Sequence, residues 1–254
     1  MLDGIDEGWF VFDTGAGVMV LDSKVAAKHN LPCIGSEAAD GVTSSSVLKI
    51  CQGGSFQLGP LTLNHPTYMQ GDMSALSSAF ELPIAGICGY DFISCAAIYI
   101  DVKIGTMGIY EPGKVTLPPG AHWIALDFDE DTPSIICQFE GDRTGIFELD
   151  TGSNSALDFL SPAVEKFGLL EGRSLTSGQG GSGGGLAVTY QTGEIEWFEF
   201  AGRRYNKLLA GFQLTKRGTF ACPFFEGFIG MKLMMRSRVI FDYQKSRMAA
   251  IPYS

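Results

Sequence analysis

Apolar residues along this chain come mostly in short β-type runs, not in long helical stripes. Val47-Leu48-Lys49-Ile50, Phe56-Gln57-Leu58, Leu186-Ala187-Val188-Thr189-Tyr190 and Ile195-Glu196-Trp197-Phe198-Glu199-Phe200 each read as strands. Helical signals are few and brief. Ser161-Pro162-Ala163-Val164-Glu165-Lys166-Phe167-Gly168 offers a Ser cap, Pro at the first helical position and Gly at the stop. Asp22–Asn30 has the same form, with Asn as its stop signal. The pattern predicts a mostly-β protein with a few short helices. The 33 Gly against 11 Pro fit a turn-rich β fold better than a helical bundle.

The pattern also repeats once over a long interval. Residues 10–16 read FVFDTGA and residues 147–153 read FELDTGS, so Asp13 aligns with Asp150, 137 positions on. Further along, GICGYDFI (86–93) aligns with GFIGMKLM (227–234) and IYID (98–101) with VIFD (239–242), both at 141. Four extra residues therefore fall in the middle of the second copy. A period this long is no solenoid. It predicts two homologous lobes, 1–112 and 124–254, with a Pro/Gly-rich linker over 113–123. The second copy has a strand, Ser134–Phe139, ahead of Glu140-Gly141. Its counterpart would fall largely before residue 1, so the first lobe is expected to lack an opening strand, or to have it replaced by another segment or a partner chain.

Composition narrows the function. The 254 residues carry 28 acidic and 18 basic side chains, a net charge of −10, with the cations scattered. That argues against a nucleic-acid binder, which needs a basic stripe to displace counterions. No apolar run is long enough to span a membrane. The first residues do not read as a secretory signal, and the compartment stays open: a start inside a longer chain would allow export. Six cysteines form no C-x-x-C pair, and three separated histidines make no zinc motif, so no metal or cofactor is expected.

The chemistry rests on the repeated Asp-Thr-Gly. If each motif sits on a tight turn after a buried strand and the lobes face each other, Asp13 and Asp150 meet at the pseudo-two-fold axis. Two carboxylates that close share a proton. One ionised and one protonated carboxyl can activate a water against an amide without metal or covalent intermediate. These motifs, with the apolar-apolar-Gly segments Ile87-Cys88-Gly89 and Phe228-Ile229-Gly230, resemble the two halves of an aspartic protease of the retropepsin/pepsin superfamily, most of all bacterial-type proteins with retropepsin-like lobes. The resemblance implies a bilobal acid-protease β-barrel fold with pseudo-two-fold symmetry. It implies an aspartic endopeptidase with Asp13 and Asp150 catalytic, Thr14 and Thr151 interlocking beneath them, and Gly15 and Gly152 at the turns. Ser153, following the second motif, is expected to donate its hydroxyl to Asp150, making Asp150 the base and Asp13 the proton carrier.

Flaps over the cleft are expected at residues 40–46 and 178–185, with Gly41, Gly180, Gly181 and Ser182 as substrate-contacting candidates. The partner is then an extended peptide. A monomer is expected, with a dimer through the first-lobe edge as the alternative. The Gly-rich run also matches a dinucleotide fingerprint and a nucleophile elbow. No strand–helix frame surrounds it, and all three histidines precede Ser182, so neither match holds. Tyr90 and Met231 stand where the family usually has a small polar residue, and no bulky Tyr marks a pepsin-type flap. These departures leave a second reading, a non-cleaving peptide-binding module on the same fold. The run Phe220–Phe228 either lines substrate pockets or packs as core. The twinned Asp101 and Asp242 read as structural.

Overall fold

A computed structural model describes residues 1–40, 45–129, 131–181 and 187–253. The first half runs β1 (Trp9–Phe12), β2 (Val20–Asp22), α1 (Ser23–Lys28), β3 (Cys33–Asp40), β4 (Ser45–Gln52), β5 (Ser55–Leu58), β6 (Leu61–Asn64), β7 (Thr67–Gly71), α2 (Ser74–Phe80), β8 (Ile84–Cys88), α3 (Tyr90–Ile93), β9 (Ala97–Asp101) and β10 (Thr106–Tyr110). The second half opens with β11 (Ile124–Ala125), β12 (Asp127–Asp129), β13 (Thr132–Phe139), β14 (Arg143–Asp150), β15 (Leu157–Phe159) and α4 (Ser161–Phe167). It continues with β16 (Thr176–Gly181), β17 (Ala187–Phe200), β18 (Arg203–Gln213), β19 (Gly227–Gly230), α5 (Met231–Met234), β20 (Ser237–Asp242) and β21 (Arg247–Pro252).

The duplication is written into the sheets. One has the order β1-β8-β2-β7-β4-β3, the other β12-β13-β14-β19-β15-β18-β17-β16. Setting β1 on β14 and β8 on β19 carries every later strand onto its counterpart. Senses agree as well: β1–β8 and β14–β19 are parallel, as are β2–β7 and β15–β18, while β2–β8 and β15–β19 are antiparallel. This is the mostly-β acid-protease barrel fold with pseudo-two-fold symmetry. A third sheet, β10-β9-β20-β21-β11, joins the halves through the antiparallel pair β9–β20. Its period-two pattern sends Ile98, Ile100, Val239 and Phe241 to the main core, and Ile240 to the opposite face against Val115, Leu117 and Trp123 of the 113–123 segment.

The second sheet has two strands more than the first, β12 and β13. On β13, Ile135, Cys137 and Phe139 turn inward while Ile136 and Gln138 turn out. In the first half, residues 1 and 2 align with the end of that strand. Leu2, the counterpart of Phe139, is fully buried and bridges Phe56, much as Phe139 pairs with Phe198. Backbone bonds from Gln57 to Met1 (2.8 Å) and from Asp3 to Ser55 (2.9 Å) hold it there.

Local signals mostly form the expected elements. Asp22 caps α1, its carboxylate accepting from Lys24 N at 2.8 Å, and Asn30 ends the turn at φ 51°. Gly168 closes α4 at φ 60°, where a side chain would be strained. Ser161 does not cap α4, however: Leu160 holds that position, and the buried Ser161 hydroxyl donates to Phe220 O (3.0 Å). The two runs expected as separate strands within 186–200 form the single 14-residue β17 over their described part, because β18 pairs with it through the intervening Gln191–Glu194. No helix among the described residues is long and apolar enough to cross a membrane.

Candidate active site

Each Asp-Thr-Gly lies at the exit of a strand, β1 or β14, that is flanked by its apolar-apolar-Gly neighbour, β8 or β19. Asp13 N donates to Cys88 O (3.1 Å), and Asp150 pairs with Gly230 in the β14–β19 ladder. The two turns are tied down alike: Tyr90 N donates to Ala16 O and Met231 N to Ser153 O, both at 2.9 Å. A Cβ on Gly230 would lie 2.5 Å from Ser155 O, and one on Gly89 would overlap the carbonyls of Ala16 and Val18, so each turn can close only over glycine. Tyr90 and Met231 thus supply the needed bonds from their backbone, which any non-Pro residue can do. The Tyr90 ring meanwhile joins Phe128 and Tyr243 in an aromatic cluster.

The threonines interlock across the seam. Thr14 N donates to Thr151 Oγ1 (2.9 Å) and Thr151 N to Thr14 Oγ1 (3.0 Å). Thr14 Oγ1 in turn donates to Leu149 O (2.6 Å) and Thr151 Oγ1 to Phe12 O (2.8 Å). Each hydroxyl, buried and fully used as donor and acceptor, welds one loop to the strand of the other half.

Above them the carboxyls of Asp13 and Asp150 converge, both with an oxygen within 3.4 Å of one point, the place a Cβ on Gly15 would take. Each also reaches the opposite glycine. A Cβ on Gly152 would lie 2.5 Å from Asp13 Oδ2, and one on Gly15 would lie 3.0 Å from Asp150 Oδ1. The glycines serve less for a left-handed turn than for this close approach; neither has positive φ. Gly15 N donates to Asp13 Oδ1 (2.9 Å) and Ser153 N to Asp150 Oδ1 (3.0 Å). Burial raises both acids above the usual carboxylate range. For Asp150 the nearby charge of Asp13 adds to burial and pushes it up to about 7.

One expectation at this site fails. The Ser153 hydroxyl is hydrogen-bonded to Ser155 Oγ (3.0 Å), and only its backbone N–H serves Asp150. The reason for making Asp150 the ionised member therefore disappears.

The sequence reading missed Glu148. It stands two residues before Asp150 on the same face of β14, is 5% exposed, and accepts no hydrogen bond among the described residues. Burial, then the charges of Asp150, Asp13 and Asp129, push it up to about 9. A Glu inside the apolar run FELD, where the first copy has Val11, is the signal that could have exposed it. The charges of Asp13 and Glu148 also act on Tyr243, whose buried hydroxyl has no hydrogen-bond partner among the described residues.

Of the flap candidates, Gly41 and Ser182 lie outside the described residues. Gly180 and Gly181 end β16 and pair with Val188 and Ala187, so residues expected as loop up to 181 are strand. The Phe220–Phe228 run is largely core: Phe220 and Phe228 are buried with Leu160 and Val188, while Phe224 points outward. Asp101 and Asp242 are structural: Asp101 accepts from Tyr253 Oη (2.9 Å), and Asp242 from Arg247 Nη2 (2.8 Å) and Gly113 N (3.1 Å). No cluster of three or more potential metal ligands occurs among the described residues.

Residues 1–92 match the family model described as aspartyl protease. That match, together with the acid-protease barrel, supports an aspartic protease of the retropepsin-like kind and protease-type function in general. No curated protein matches the chain.

Proposed function

We propose that the chain is an aspartic endopeptidase in which Asp13 and Asp150 activate a water against a peptide bond. The observation that carries this reading is the convergence of the two carboxyls above a seam held by paired loops. Two carboxyls this close do not both ionise readily, so the pair holds one proton and one negative charge between them. We assign the proton to Asp150, whose affinity for it is raised by the adjacent Asp13 charge. Asp13, accepting from Gly15 N–H and from the Asp150 hydroxyl, is the ionised member.

In this arrangement the Asp13 carboxylate takes a proton from the water as its oxygen attacks the substrate carbonyl carbon. The Asp150 hydroxyl gives its proton to the carbonyl oxygen as charge develops there. A tetrahedral diol results, with the pair still singly protonated, now on Asp13. Collapse passes that proton to the leaving nitrogen while a diol proton returns to Asp150, so the pair is restored. The β3–β4 and β16–β17 hairpins, topological counterparts, are the elements we assign to cover an extended peptide.

The test is cleavage of an unfolded casein-like protein by the wild type, Asp13→Asn and Asp150→Asn. Either substitution should reduce the rate by about a thousandfold or more. Equal cleavage by all three proteins would end the proposal.

A further inference from the structure

All six cysteines are free thiols, and two of them face each other. Cys33, the first residue of β3, and Cys51, near the end of β4, are direct partners in the antiparallel ladder. Gln52 N donates to Pro32 O (3.2 Å), so the ladder bond passes beside the cysteine pair. Such a non-hydrogen-bonded pair brings its Cα atoms to about 4.5 Å with both side chains on one face. A disulfide spans Cα separations of roughly 4.4–6.8 Å. The ladder then slips between Cys33 and Gly35, leaving the exposed Ile34 unpaired, a bulge that lets the Cys33 backbone adjust.

The two thiols differ in access. Cys33 is exposed, its Sγ engaged only with Gly35 O at 3.4 Å. Cys51 is fully buried; burial raises its thiol, and the neighbouring Cys33 raises it further against a bond from the Gln70 side chain. One sulfur is thus placed to meet a reagent and the other to finish the reaction from beneath.

We propose that Cys33 and Cys51 form a thiol–disulfide site that reacts with low-molecular-weight disulfides and cross-links the foot of the β3–β4 hairpin. Cys33 loses its proton to solvent, and the thiolate attacks one sulfur of the small disulfide, whose other half leaves and is protonated. Cys51 then gives up its proton and attacks Cys33 Sγ, releasing the second small thiol. Two protein thiols are oxidised, one small disulfide is reduced to two thiols, and no other electron acceptor is needed. Excess small thiol reverses both steps. β3 is the outer strand of its sheet, paired only with β4 among the described residues, whereas β4 is also held by β7 through Cys51 and Tyr68. The cross-link therefore fastens an edge strand to an anchored one.

The intact chain is equilibrated with oxidised glutathione, unfolded with an alkylating reagent present, and digested for peptide mapping. Two thiols should be lost as a peptide linking Cys33 to Cys51, while the buried Cys88 and Cys137 stay alkylated and the exposed Cys95 takes up at most a single glutathione. In Cys51→Ser, glutathione should remain on Cys33, and in Cys33→Ser neither thiol should react. Amide exchange along β3 should slow about tenfold or more on oxidation. A wild-type chain that stops at the Cys33–glutathione adduct with Cys51 alkylated, or that links Cys33 to another cysteine, would overturn the proposal. The chemistry is independent of peptidase activity and is scored without it.

Discussion

A single proton decides the character of the site. In the proposed mechanism Asp150 holds it and Asp13 lacks it, so the rate should be bounded by loss of that proton on the alkaline side. With Asp150 near 7, activity should be level in mildly acidic solution and fall about tenfold per pH unit well above 7. The acid limb, where Asp13 becomes protonated, should lie above the ordinary carboxylate value because burial raises that group too. A pH–rate profile on a peptide substrate checks both limbs; an alkaline limb that starts below pH 5 would contradict the assignment. Ser153→Ala should leave the profile in place, since its hydroxyl bonds to Ser155 and its backbone N–H is retained. Glu148 makes a separate prediction. An acid whose folded pKa, about 9, lies above its unfolded value near 4.5 favours folding least where the unfolded chain would ionise and the folded chain cannot. Stability from this group is complete below about pH 4.5 and declines as pH rises towards 9. By pH 7 the loss is on the order of 3 kcal/mol. Glu148→Gln should remove that pH dependence, seen as a urea-unfolding advantage over wild type that grows from pH 4 to pH 7. The facing Asp13 and Asp150 were legible because their motif recurs with its flanking apolar-apolar-Gly. Glu148 and the Ser153 hydroxyl were not, because burial and hydroxyl direction are set by the facing half, which no local run of residues describes.

Among the elements, the paired loops depend on two hydroxyls. Thr14→Ala would strip the acceptor from Thr151 N–H and the donor from Leu149 C=O, both buried. It should destabilise the protein by about 2–3 kcal/mol, whereas Thr14→Ser, which keeps the oxygen, should recover most of the loss. Chemical denaturation of the two variants separates a hydrogen-bond effect from simple loss of a methyl group. The strands themselves were readable from alternation, and α1 from its Asp22 cap. What alternation could not reveal was continuity: β17 runs unbroken through Gln191-Thr192-Gly193-Glu194 because β18 supplies a partner at each position there. In the first half the corresponding hairpin is interrupted at Gly53-Gly54, both at positive φ, and splits into β4–β7 and β5–β6. Likewise the Ser161 hydroxyl found Phe220 O, a partner 59 residues away, and left the helix cap to Leu160.

At the scale of the molecule, the repeat in the sequence suggests two halves, but the packing does not divide there. Leu21, Phe56 and Phe92 from the first half share one continuous core with Phe147, Leu233 and Phe241 from the second. The β9–β20 ladder binds them edge to edge at Ile98–Phe241 and Ile100–Val239. Leu2, fully buried, fills the first barrel at the position where the second uses the larger Phe139. Leu2→Ala should therefore cost about 2–5 kcal/mol, at the upper end of core truncations if the barrel cannot collapse around the gap. Because the core is shared, that loss should not appear as selective melting of residues 1–88. Tryptophan emission reports Trp9 in the first half, Trp197 in the second and Trp123 against the joining sheet, and far-UV circular dichroism reports all the sheets. The two signals should shift together to lower denaturant in a single transition. A first phase seen by one probe, leaving the second barrel folded, would show instead that the seam is a contact between independent units and not a common core.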